Sequence, residues 1–158
     1  MDPQIKKRVL RTFTYGLYVV MCADSGEVNG FTANWLTQVS FEPPLLAVSV
    51  ENDSKSLPMI QRSRKFTVNV LRSGQRDLAG HLGKSAIKYP DKLASIEYTL
   101  LPGGQPILNA ALAWVACEMR SSIEAGDSTL IVGEVVDAGM LAEGAPLTMA
   151  ESGFRHAG

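Results

Sequence analysis

Cysteine and histidine are scarce in this chain, with two of each among 158 residues. Cys22 and Cys117 lie far apart inside apolar runs. That spacing excludes a Cys-x-x-Cys redox centre and points to two reduced, buried thiols. His81 and His156 belong to no cluster with metal-ligand spacing, so no dedicated metal site is expected. Neither sign of charge is in excess: 15 Lys and Arg face 16 Asp and Glu, a net charge of -1. The electrostatic footprint of a nucleic-acid or anionic-membrane binder is therefore missing. No apolar run approaches the ~20 residues of a membrane span. The opening DPQIKKRVLRTF lacks the apolar core of a secretory leader, and a cytoplasmic location is expected. There is also no G-x-G-x-x-G behind a strand and no G-x-x-x-x-G-K-[ST], so any nucleotide phosphate has to be held in some other way.

What is present reads as a single domain over residues 1–158, rich in strands. Asp2-Pro3 marks a capped helix start with Ile5, Val9 and Phe13 on one face. YGLYVVMCA (15–23), LLAVSVE (45–51), KFTVNVL (65–71), AWVACEMRSSI (113–123) and STLIVGEVVDAGML (128–141) have strand composition, the third with clean alternation. Short helices are expected after NDSKS and in GQRDLAG. The stretch behind the second, HLGKSAIKYPDKL, is the longest irregular segment, of a kind that often carries function. Strands at short spacing with Gly and Pro turns favour a small antiparallel barrel over a parallel βαβ sheet.

One stretch does not read as a plain core strand. In GFTANWLTQVSFEPPLLAVSVE (30–51), Thr32, Asn34, Gln38 and Ser40 interrupt the first half and Ser49 sits within the apolar second half. Amides and hydroxyls in that position suit a ligand with donors and acceptors along one edge. Trp35 is read either as a wall of that ligand site or as a core or interface residue. Behind it, Ser54 and Ser56 flank Lys55 at a turn before a helix, where hydroxyls and backbone N–H groups either cap the helix or hold a phosphate.

From RVLRTFTYGLYVV through GFTANWLTQVSFEPPLLAVSVENDSKS to GDSTLIVGEVVDAG and the terminal PLTMAESGFRHAG, the chain resembles the flavin reductase-like family of FMN-binding split barrels. The resemblance implies a mainly β fold, a six-stranded antiparallel Greek-key split β-barrel with a few short helices. It also implies a homodimer with FMN near the subunit interface. It assigns Thr32, Ala33, Asn34 and Trp35 to the isoalloxazine ring, with Ser49, Val50 and Glu51 beside it, and Ser54 and Ser56 to the phosphate. The implied activity passes electrons from NAD(P)H through bound flavin to a flavin, protein or metal acceptor.

The chain departs from the family pattern at Gly126-Asp127-Ser128, where many such reductases carry Gly-Asp-His with the histidine toward the nicotinamide. Ser128 and His156 are the candidates for that side here. His81 reads as an exposed histidine at a helix end, beside the stop signal Gly83. The departure keeps two alternatives open: a flavoredoxin-like electron carrier fed by a protein donor, and a split-barrel interaction module without flavin.

Overall fold

The computed structural model describes residues 1–156. Its first element, α1 (Pro3–Leu10), begins where Asp2 Oδ1 accepts from the backbone N–H of Gln4 at 2.7 Å. Ile5, Val9 and Phe13 are each more than half exposed, so the apolar face read from the sequence is left uncovered by the rest of the chain. The strands β1 (Tyr18–Asp24), β2 (Glu27–Ala33), β3 (Leu36–Ser40) and β4 (Leu45–Glu51) follow, then α2 (Ser56–Ser63), β5 (Lys65–Val70) and α3 (Arg76–Leu82). A small hairpin of β6 (Tyr98–Leu100) and β7 (Pro106–Leu108), the long pair β8 (Ala113–Ala125) and β9 (Ser128–Met140), and α4 (Met149–Ser152) complete the chain.

All but β6 and β7 form one antiparallel sheet in the order β2-β1-β5-β8-β9-β4-β3. Its hairpins are made by local turn chemistry. Ser25 and Gly26 both take positive φ between β1 and β2, and Gly126 at φ 70 turns β8 into β9. The expected six-stranded split barrel is here an antiparallel sheet of seven strands, and no ladder among the described residues closes it. The reason lies in the link between its edges. β2 and β3 are the two outer strands, yet only Asn34 and Trp35 separate them in sequence. Three residues span at most about 11 Å, so the sheet must roll until the end of β2 stands beside the start of β3. The edges meet at a seam without pairing.

Rolling buries the sheet on both faces. Val20 and Cys22 of β1 point into a cluster with Val48, Val50, Phe66 and Ile131, which Leu57, Met59 and Ile60 of α2 plug. Val19 and Met21 point the other way, toward Leu71, Ala79, Leu82 and Leu108. A strand covered on both sides reads as a continuous apolar run, which is what YVVMCA is. The alternation of KFTVNVL misleads for the same reason. Thr67 and Asn69 are fully buried rather than solvent-facing, because β7 covers them. The Thr67 hydroxyl donates to the Pro106 carbonyl, and Asn69 donates to Val19 and accepts from Leu108 N–H.

Both cysteines are free and buried, as the sequence suggests, and burial pushes the thiols up to about 11 at Cys22 and about 12 at Cys117. In β9, Gly133 leaves room for Phe66: a Cβ there would stand 2.5 Å from the Phe66 ring. Gly133→Ala is expected to lower stability by about 1–3 kcal/mol through overpacking. A thermal melt equal to that of the native chain would mean that the ring has space to swing aside.

Candidate functional site

The seam explains the polar strand residues. Thr32 and Ala33 end β2, Asn34 and Trp35 cross to the other edge, and Trp35 O accepts from Ser49 N–H of β4 at 3.0 Å. These residues open into one cavity of about 600 Å³, of the size that takes a small-molecule cofactor. Glu51, Ser54, Ser56, Ser128 and His156 line the same cavity. Across the β4/β9 ladder Glu51 faces Ser128, which is 4% exposed. Of the residues assigned to the flavin by resemblance only Val50 does not line it, because its side chain alternates away from Ser49 into the core, and the polar Gln38 and Ser40 of β3 also lie outside it.

The cavity runs along β2. At one end the Asn29 amide donates to Ser56 Oγ at 2.8 Å, and Ser54 Oγ accepts from Leu57 N–H at 3.2 Å. Ser54 is thus a cap for α2 whose hydroxyl hydrogen stays free of the described hydrogen bonds. Ser56 is 1% exposed. Lys55 forms an ion pair with Glu27. Three residues further along β2, ~10 Å at strand rise, the Thr32 hydroxyl donates to the Ala79 carbonyl of α3 at 2.6 Å. Thr32 therefore ties the strand to the helix, although it borders the cavity. Thr32→Val is expected to cost about 1 kcal/mol and to lower the melt of the ligand-free chain by about 2–4 °C. An unchanged melt would show that this hydrogen bond is not structural.

At the far end, Asn34 is 7% exposed and its amide donates to the His156 carbonyl at 3.2 Å, while the Trp35 and His156 rings lie 5.1 Å apart. Arg76 holds the terminal segment down, with Nε donating to the Ser152 carbonyl at 2.6 Å and the guanidinium 4.8 Å over the Phe154 ring. Phe154 and His156 also line a second cavity, of about 760 Å³, with Arg11, Tyr15 and Thr148.

Sequence reasoning missed Asn29, Phe31, Phe154 and the loop behind α3. Gly83 to Lys88 and Lys92 form one wall of the first cavity. The irregular stretch after the helix was the available signal for that wall. His81 is half-buried rather than exposed, because its Nε2 donates to the Lys92 carbonyl at 2.6 Å. Among the described residues no group of three or more His, Cys, Asp or Glu side chains could hold a metal ion. No helix among the described residues is long and apolar enough to cross a membrane.

The donor set fits a flavin. Phe31, Ala33 and Trp35 offer apolar cover for a flat ring, Asn34 offers an amide to its polar edge, and the Ser54 turn opens into the same cavity beside Asn29, further back along β2.

Residues 10–158 match the family model described as flavin reductase like domain. The chain is 34% identical over 155 residues to a flavin reductase of Pseudomonas putida, covering 98% of this chain and 89% of that protein. It is also 34% identical to the high molecular weight rubredoxin of Moorella thermoacetica, covering 90% of this chain and spanning 63% of that longer protein. Among solved structures, nitrilotriacetate monooxygenase component B from Mycobacterium thermoresistibile superposes with a TM-score of 0.84 at 28% identity, over 93% of this chain and 82% of that one.

Proposed function

Because this chain is an oxidoreductase of the flavin reductase-like family, we propose that it binds FMN in the seam cavity and passes electrons from NAD(P)H through it to a flavin, protein or metal-chelate acceptor. One observation carries the reading: the polar pair Asn34 and Trp35 at the seam and the serine turn at Ser54 open into a single cavity along β2. In this reading the flavin supplies the electron-transfer chemistry when bound. The chain supplies shape and charge: Phe31, Ala33 and Trp35 cover the ring, Asn34 meets its polar edge, and Ser54 with the start of α2 holds the phosphate. Ser128 and His156 border the side from which a nicotinamide would approach. The exposed Ile5, Val9 and Phe13 of α1 suit burial against a second copy in a homodimer.

The test is a yellow purified protein that NADH or NADPH reduces rapidly and saturably under anaerobic stopped flow. A colourless chain that takes up no added FMN would sink the reading. A second reading, an electron carrier fed by a protein donor, is favoured by Ser128, whose short and 4% exposed side chain gives a nicotinamide ring nothing comparable to an imidazole to pack on. Flavin that binds tightly yet is reduced only slowly by either nucleotide would decide for the carrier, and a Ser128→His variant that gained speed would identify the cause.

A further inference from the structure

Lys92 stands out among the charged groups of the molecule. It is 4% exposed, and its Nζ donates to the carbonyls of Leu82 at 3.0 Å and Lys84 at 2.7 Å. It takes part in none of the described ion pairs. Burial pushes its pKa down to about 8, with no carboxylate acting to raise it. A buried cation answered only by neutral carbonyls is costly to keep, and fastening a loop does not require a charge. Lys92 lines the cavity, and its position there can be read from the two carbonyls, which flank Gly83. A Cβ on Gly83 would stand 3.8 Å from Thr32 Cβ. The ammonium thus belongs to the Thr32 end, whereas the serine turn lies beside Asn29, ~10 Å back along β2.

We propose that Lys92 is the counter-ion for the negative charge that the isoalloxazine ring gains on two-electron reduction, so that it tunes the potential of bound flavin. The inference rests on the reading of the cavity as a flavin site. Uptake of two electrons and one proton leaves the ring with one negative charge, and the balancing positive charge leaves on the oxidised nicotinamide. A fixed cation in a low-dielectric wall favours the charged ring over the neutral one.

The experiment compares native protein with Lys92→Met, Lys92→Gln and Lys92→Arg. Each is titrated anaerobically with oxidised and with dithionite-reduced FMN and riboflavin, and each ligand-free protein is melted. Lys92→Met and Lys92→Gln are expected to lose about tenfold more affinity for the reduced than for the oxidised form, alike for both flavins. That ratio corresponds to a drop of about 30 mV in the two-electron potential. Lys92→Arg, which keeps the charge, should restore the native ratio. Equal losses for the two redox states would overturn the inference in favour of a fastening role, as would variants that no longer fold. Losses confined to FMN in both redox states would overturn it in favour of a phosphate counter-ion. A native chain that binds no flavin at all would instead fail the reading of the site, and this inference with it.

Discussion

Replacing Ser54 and Ser56 together with alanine is expected to weaken FMN binding tenfold or more while leaving riboflavin binding nearly unchanged. The two ligands differ only in the phosphate, so the difference between them isolates that contact. The Ser54 oxygen already accepts from Leu57 N–H, which leaves its hydrogen to donate. A hydrogen bond to a dianion is charge-assisted and contributes about 1.5–3 kcal/mol. The single variants should divide the effect. Ser54→Ala is expected to carry the loss of FMN affinity, together with about 1 kcal/mol of helix capping. Ser56→Ala is expected to carry a loss of stability of about 1–3 kcal/mol, because it leaves the buried Asn29 amide without its acceptor. Fluorescence titrations in which both ligands weaken equally would remove the phosphate from this turn.

Asn34→Ala is expected to weaken FMN and riboflavin alike by about tenfold, since in the proposed reading its amide meets the ring rather than the phosphate. The ligand-free chain should melt nearly as before. Its one described side-chain hydrogen bond, to the His156 carbonyl, restrains only the terminal segment, and Arg76 holds that segment independently. The opposite pattern, a destabilised ligand-free chain with undiminished flavin affinity, would make Asn34 a structural residue.

The strands and most of their bounds were legible in the sequence because they are specified locally. LLAVSVE is bounded by prolines and a turn, and it is β4 from Leu45 to Glu51. The two long strands near the C-terminus meet at the glycine that marks their turn. What was not legible depends on contacts between distant segments. Nothing local to Thr67 and Asn69 says that a hairpin forty residues on, β7, will cover them. Asn34 and Trp35 read as candidate ligand residues in an irregular strand-like stretch, and nothing local shows that this pair is the bridge between the two outer strands of the sheet. Thr32 was assigned to a ligand on its hydroxyl and on the resemblance, yet the helix carbonyl it reaches lies 47 residues further along the chain. Lys92 gave no sign, because a lysine in a polar loop is ordinarily solvated and its burial follows from how that loop folds back on α3.

The unlatched seam has a consequence for which molecules the groove admits. Every other junction in the sheet is zipped by backbone hydrogen bonds, and widening one would mean breaking several in concert. At the seam the two lips are joined only by a short tether and by side chains. Its width is therefore fixed by no ladder of backbone hydrogen bonds among the described residues, unlike the spacing of every neighbouring pair in the sheet. In the proposed reading, selection among flavins at such a mouth therefore rests on the chemistry at its two ends, the serine turn and the amide of Asn34.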